Sequence, residues 1–507
     1  MIAAMERGRT LLWTLVLLGV SCRMLSLPIY HGATIEPVPS RWNAFSAPFA
    51  DDLHGSCDSF LSLLARSLVR EGLLATGGIP LFNLSRSAPE EFRYYDHHPP
   101  LVPLVTALAF KVFGDRESTS RGVALLFAAL LTAFVLHALR PLGGVALLAA
   151  ALPASLLPIG MYWGTHLNFE IPTMCLAGLA VCLALRTEPG TGHLRLAQAA
   201  LILASLMDVL ALFAALSIAL EHAARGRFRI AVRFLLTGAA GLGIWLLWKN
   251  MQIARHGMSF GGPLLQHLKE VSFLTWFTSS PACGFGEWLL AMAGHLWSLF
   301  AGWPVLLLVL EIALLPVRSA RLAGPSAALF RAFLWLALCA VLVPAVRSFD
   351  HPYYSLYFWM PAMVAFARLA VRLRALPGRQ GAVATALVLV GAGAAGLSAE
   401  WLHPRPSATS SQPSAHRLGQ ELLASRPEPR SIVVIEPSPK TRFDLVTVAY
   451  YFRGLVTTLD RESPASQARF LDLLHAYGLE LDHWSVWLAL DPDWPGRGGW
   501  NRLHPPP

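Results

Sequence analysis

Charge is scarce in this chain. Only 14% of its 507 residues are Asp, Glu, Lys or Arg, against 55% that are hydrophobic; soluble proteins carry about a quarter charged residues. The shortage excludes a single large soluble domain and marks a polytopic membrane protein. Other absences narrow the field. The six cysteines form no CxxC and no Cys/His metal spacing, so no thiolate metal centre is expected, and a divalent metal would need oxygen ligands. No cofactor is identified. Cys22, Cys175, Cys182 and Cys339 lie in apolar segments and read as packing residues. No basic stretch interleaved with aromatics marks a nucleic-acid surface, so the net charge of +9 is read loop by loop for membrane orientation. No repeated half of the kind common in transporters stands out.

What is present is a series of apolar runs. A helix needs about 17–25 residues to cross a bilayer core. Runs at 10–29, 119–139, 143–163, 171–186, 194–208, 209–224, 230–249, 302–317, 325–346, 352–371 and 380–397 qualify as about eleven spans. The first follows Arg7 and Arg9 and lacks a small-x-small cleavage site, so it reads as an uncleaved span and not a removed signal. The stretch Pro99 to Phe113 is ambiguous: it is short and carries Lys111. Counted as a span, it turns the clusters Arg225/Arg227/Arg229/Arg233, Arg318/Arg321 and Arg372/Arg374/Arg379 outward. Left out, it puts all three in the cytoplasm with Arg7, Arg9 and Arg140. The positive-inside rule selects the second arrangement, so Pro99–Phe113 is expected to lie on the outer face as an interfacial helix. The N-terminus is then cytoplasmic, and the segment after about 398 lies outside the membrane. That segment is Pro-rich at first; RSIVVIEPS and HWSVWLALD then read as strands, with SQARFLDLLHAYG as a helix between them. The expected fold is therefore a mainly α helical bundle over 1–397, with interfacial helices in a long first outer loop, plus a small α/β domain over 398–507.

In this topology four outer features come together in principle. Asp58 opens the amphipathic stretch CDSFLSLLARSLVREG, where it reads either as an N-cap or as a rigidly held carboxylate. Glu170 begins the fourth span and is either a solvated helix-start residue or a site acid. Asp208 sits between two apolar runs, where a lone acid must cap a helix or line a polar cavity. The segment RSFDHPYY supplies Arg347, His351, Tyr353 and Tyr354, cationic and hydroxyl donors of the kind a lipid phosphate needs. His98 either joins them or caps the interfacial helix. Asp51 and Asp52 are weaker candidates, and Glu311, inside a span, has no evident role. Cys57 and Cys283 both fall in outer segments, where an oxidising compartment would let them pair.

At these residues the sequence resembles the GT-C glycosyltransferases, in the branch of the protein O-mannosyltransferases and the lipid A aminoarabinose transferase. The resemblance rests on Asp58 followed by Ala65-Arg66, on His98-Pro99-Pro100-Leu101 with Phe113-Gly114 and then Arg121, on Glu170 before Pro172, and on His351-Pro352-Tyr353-Tyr354; it covers roughly 10–400. Two departures stand out. Cys57-Asp58 replaces a frequent acid pair, and Asp208 replaces a Lys that several members carry.

The resemblance implies an inverting transfer of a sugar from a polyprenyl-phosphate donor to a lipid, glycan or protein acceptor outside the cytoplasm. Asp58 would be the general base. Glu170 would orient acceptor or sugar, and Arg347, His351, Tyr354 and His98 would hold the lipid phosphate, with Tyr353 and Asp208 completing the substrate site. The expected location is a bacterial inner membrane with the C-terminal domain in the periplasm. A transporter or flippase of a lipid-linked intermediate is the competing reading.

Overall fold

The computed structural model describes residues 10–23, 53–81, 94–185, 191–256, 272–277, 283–315, 324–401 and four short strands between 431 and 504. Asp51, Asp52 and the helix expected at 466–478 lie outside them. In chain order the helices are α1 (Thr10–Arg23), α2 (Leu53–Glu71), α3 (Leu101–Phe113), α4 (Glu117–Leu139), α5 (Gly144–Ser155), α6 (Pro158–Met161), α7 (Glu170–Ala184), α8 (Thr191–Met207), α9 (Leu212–Ala223) and α10 (Phe228–His256). They continue as α11 (Phe285–Leu299), α12 (Val305–Ala313), α13 (Pro325–Leu342), α14 (Ala345–Asp350), α15 (Trp359–Arg374) and α16 (Gln380–Trp401). The chain divides into two compact units: Met1–Ile29, Ala124–Leu247 and Gly262–Arg405 in one, and Tyr30–Val123, Trp248–Gly261 and Pro406–Pro507 in the other.

Among the described residues five helical segments are long and apolar enough to cross a membrane: Glu117–Leu142, Phe228–Arg255, Pro325–Leu342, Pro352–Arg374 and Gln380–Ser398. A bent pair, Gly144–Ser155 with Pro158–Thr165, makes a sixth if it is one span. The protein is thus an integral membrane protein. In the first unit α15 is the centre of the bundle, because every residue from Trp359 to Ala370 is buried. All-round burial of this kind needs neighbours on every side, and α15 packs on α5, α12, α13 and α16.

The run 143–163, read as one continuous span, is broken by a 67° bend. The cause is Pro158. It has no N–H for the Ala154 carbonyl four residues earlier, and it forces Leu157 into extended backbone (φ −92°, ψ 149°). Arg23, fully buried at the end of α1, supplies the missing donors. Its Nη2 donates to the Ala154 carbonyl at 2.7 Å and its Nε to the Gly160 carbonyl at 2.9 Å. The guanidinium also lies 5.3 Å from the centre of the Trp359 ring, a cation–π distance. A side chain at Gly160 would run into the Pro153 carbonyl and the Ala154 backbone, which keeps this position a glycine. Arg23→Lys retains a cation but loses the planar fork that serves two carbonyls at once. It is expected to cost about 1–3 kcal/mol, read as a lower thermal midpoint of the detergent-solubilised protein. An unchanged midpoint would show that the bend does not depend on the fork.

Three ion pairs on two buried acids also tie the first unit together. Glu311 on α12, without a role in the sequence, accepts from Arg368 Nε at 2.6 Å and Arg372 Nε at 3.1 Å, both on α15. Glu221 on α9 receives both Nε and Nη2 of Arg331 on α13, at 2.7 and 2.6 Å.

In the second unit α2 packs on α3 through Ala65 and Leu68 against Ala107 and Phe110, flanked by Val69 and Leu104. The 13 residues of α3 span about 20 Å, too short for a hydrocarbon core of about 30 Å. Gly114 ends the helix at φ 89°, a backbone angle that suits glycine. Val102, Thr106, Ala107 and Phe110 are buried while Leu108, Val112 and Phe113 are exposed, an apolar face of the kind an interfacial helix presents. The four strands form one sheet in the order β2-β1-β3-β4, where β1 is Ser431–Ile435, β2 Leu455–Thr458, β3 Ser485–Ala489 and β4 Asn501–His504. The first three run parallel and β4 is antiparallel to β3.

Candidate functional site

The candidate residues fall into one group in each unit. Asp58 and His98 belong to the second unit. Helix α2 begins at Leu53, so Asp58 sits in its second turn and not at the cap. The HGS segment before Cys57 is already helical. The N-cap reading of Asp58 is therefore replaced: the residue is fully buried inside a helix. Two residues on, the Phe60 ring meets Tyr95 edge-on at 5.2 Å, which links α2 to the segment preceding α3. Tyr95 stacks on His97 at 5.5 Å and on His98 at 6.2 Å. His98 does not occupy the cap of α3. Pro100 does, with no side-chain capping bond, and its carbonyl accepts the first helical bond from Leu104 at 2.9 Å.

The sequence missed two residues in this group. Asp96, with a fully buried side chain, receives Lys249 Nζ at 2.8 Å, and His97 Nδ1 lies 3.7 Å from its other oxygen. Asp96 was visible only as an acid within YYDHHPP, and Lys249 only as a cation ending an apolar run. Nearby, Arg66 pairs with Asp115, with Nη2 3.2 Å from Oδ1. Ser62 and Ser120 share a hydrogen bond of 2.7 Å, next to the fully buried Arg121.

The first unit holds Glu170, Asp208, Arg347, His351, Tyr353 and Tyr354. Glu170 is 4% exposed, so it is not a solvated helix-start residue. At the start of α7 Asn168 Oδ1 accepts from the Ile171 N–H at 2.9 Å, and the Glu170 carboxylate accepts from the backbone N–H groups of Phe169 and Glu170. Asp208 does act as a cap. Its Oδ1 accepts from the Leu210 N–H at 3.1 Å at the start of a 3-10 turn leading into α9. It is also 1% exposed. Glu170, Asp208 and Tyr354 all lie within electrostatic reach of the buried Tyr357 phenol. The Tyr357 hydroxyl and Asn168 Nδ2 have no hydrogen-bond partner among the described residues. The structure therefore brings Glu170 and Asp208 together and adds Tyr357 and Asn168, which the sequence missed. Tyr357 looked like one more aromatic in a span, and Asn168 like a loop residue.

The late segment is helical where the sequence read a loop. Arg347 lies on α14 with its side chain exposed, and a 3-10 helix, Pro352–Phe358, follows. His351 stacks on Tyr353 at 5.0 Å, and Tyr353 meets Tyr354 at 5.0 Å. Helix α11 anchors this segment: Trp288 Nε1 donates to Ser348 Oγ at 2.9 Å, and His295 Nε2 lies 3.1 Å from the Phe349 carbonyl. Cys57 and Cys283 are both thiols. No three His, Cys, Asp or Glu side chains form a metal set among the described residues.

Chemically, the second-unit group offers a buried carboxylate beside two imidazoles, and the first-unit group offers two buried carboxylates with neutral polar partners. The His351–Tyr354 segment supplies donors suited to an anion.

No family model matches the sequence, and no curated protein does. Solved structures do. The chain is similar to ArnT from Cupriavidus metallidurans in the apo state, with 11% identity, a TM-score of 0.43, and 94% of this chain and 93% of that one covered. It is likewise similar to ArnT bound to undecaprenyl phosphate, with 14% identity, a TM-score of 0.43, and 94% and 92% covered. Against the mycobacterial arabinofuranosyltransferase AftD the identity is 15% and the TM-score 0.50, over 94% of this chain and 35% of that one. The chain thus spans about a third of the length of AftD, and over that length it shares the fold of that structure.

Proposed function

We propose that this chain is a glycosyltransferase of the extracytoplasmic membrane face. It moves a sugar from a polyprenyl-phosphate donor to a hydroxyl of a lipid, glycan or protein acceptor, with inversion at the anomeric carbon. The observation that carries this reading is Asp58, a fully buried carboxylate on α2, tied through Phe60 and Tyr95 to the His97-His98-Pro99-Pro100 segment. The GT-C fold, shared with a protein named as an arabinofuranosyltransferase, supports it.

In this mechanism the acceptor oxygen attacks the anomeric carbon and the bond from that carbon to the phosphate oxygen breaks. Asp58 takes the acceptor proton. The lipid phosphate leaves as an anion, whose charge calls for cationic and hydroxyl donors; in the unit that holds Asp58 this role is assigned to His98, and in the other unit Arg347, His351, Tyr353 and Tyr354 are donors of that kind. Glu170 and Asp208 would repel a phosphate, so they are assigned to the sugar or acceptor hydroxyls. The segment after about 398 is assigned to the same side, the periplasm of a bacterial inner membrane, with the N-terminus cytoplasmic.

The test is full-length protein in sealed vesicles, supplied with synthetic polyprenyl-phosphate sugars and a hydroxyl acceptor. Mass spectrometry is expected to find a new glycosidic bond and released polyprenyl phosphate. Movement of the lipid-linked sugar across the vesicle wall with no bond formed would establish the transporter reading in its place.

A further inference from the structure

The last turns of α10 belong to the same unit as the first-loop residues, and they grip that loop at several points. Trp248 Nε1 donates to the Gly77 carbonyl at 2.8 Å. Gly77 and Gly78 have φ of 59° and 76°, and side chains there would run into Gln252 and the Trp248 ring. The two glycines thus let α10 sit directly on the turn. The turn in turn holds the segment before α3, through an isolated bridge between Leu81 and Tyr94 and a bond from the Tyr95 N–H to the Pro80 carbonyl at 2.8 Å.

The Lys249–Asp96 pair adds to this attachment. Lys249 Nζ lies 2.8 Å from Asp96 Oδ2 and donates to the Asp96 carbonyl at 3.4 Å. The side chains are 12% and 0% exposed, so each charge depends on the other. Asp96 directly precedes the two histidines stacked on Tyr95. Moving its backbone moves them.

We propose that Lys249 and Asp96 are positioning residues that hold His97 and His98 in register to receive a polyprenyl phosphate. Lys249 is not itself a phosphate ligand: its ammonium is committed to Asp96, on both the side chain and the carbonyl. The inference rests on the glycosyltransferase reading insofar as the histidines face the donor phosphate.

The two roles for Lys249 differ in sign. If Lys249 bound phosphate directly, Asp96→Asn would release the cation and tighten binding. If the pair positions the histidines, Asp96→Asn and Lys249→Met each leave a buried charge without its partner, and each weakens binding. Replacing both removes the mismatch and recovers most of the loss.

The experiment measures equilibrium binding of sugar-free polyprenyl phosphate to the full-length protein in detergent. The variants are Lys249→Met, Asp96→Asn, their combination, and Lys249→Arg. Each single neutral variant is expected to weaken binding by about tenfold. The double variant and Lys249→Arg should stay within a few-fold of the parent, and thermal midpoints of these two near the parent show that they are folded. Tighter binding by Asp96→Asn, or additive losses in the double variant, would overturn the proposal. So would unchanged affinity in a folded single variant. If a single variant does not fold, weak binding by the folded Lys249→Arg or by the folded double variant would overturn it equally. Failure of the parent to bind polyprenyl phosphate at all would instead refute the glycosyltransferase reading, so the two failures are distinct.

Discussion

Asp58→Asn is expected to lower the rate of glycosyl transfer by about 10²–10⁴, with polyprenyl phosphate affinity and thermal midpoint close to the parent. Asparagine matches aspartate in volume and keeps one acceptor oxygen, but it cannot take the acceptor proton. Asp58 lies in the second turn of α2 and not at its cap, so no capping bond is lost, and the neutral amide removes a charge from a fully buried site. Single-turnover transfer with enzyme in excess isolates the chemical step from product release. Glu170→Gln serves as the contrast. If Glu170 orients hydroxyls and does not accept the proton, its loss raises KM for the sugar or acceptor more than it lowers the single-turnover rate. Undiminished transfer by a well-folded Asp58→Asn protein would remove Asp58 as the base.

The features legible in the sequence were those with local signals. Composition and apolar runs marked a membrane bundle, and the charge accounting separated Pro99–Phe113 from the spans; the structure gives that segment a helix of 13 residues. The acids at the ends of apolar runs were visible as individual residues. What stayed hidden depends on partners far away in the chain. Nothing near Glu311 announces Arg368 and Arg372, 57 and 61 residues later. Lys249 reads locally as a cation anchoring a span end, and only the fold brings it to Asp96, 153 residues earlier. The bend before Pro158 was half legible. Proline announces a break, but not that a buried arginine from α1 would serve the two carbonyls. The sequence opens this helix at Cys57, whereas it begins at Leu53; Leu61, Leu64, Ala65 and Leu68 pack it into the core.

Glu311→Ala is expected to destabilise the protein by about 3–5 kcal/mol. The carboxylate is fully buried, and the Arg368 side chain opposite it is 3% exposed. Arg368 has a second hydrogen bond, from Nη1 to Ser326 Oγ at 3.1 Å, and Arg372 donates to the Leu314 carbonyl at 3.1 Å. Neither neutral acceptor compensates a buried cation. Two guanidinium groups facing each other without the carboxylate add repulsion to the lost attraction, so removing the acid costs more than the pair itself contributes. The converse separates this account from simple packing loss. Glu311→Met together with Arg368→Met replaces the ion pair by apolar side chains of similar reach and leaves only Arg372, whose side chain is 14% exposed, enough to turn toward water. That double variant is expected to recover most of the stability lost by Glu311→Ala. The measurement is thermal unfolding of the detergent-solubilised protein for all three chains. If Glu311→Ala melts with the parent, the contact between α12 and α15 is held by apolar packing alone. If the double variant melts no higher than Glu311→Ala, the loss comes from missing volume and not from unpaired charge.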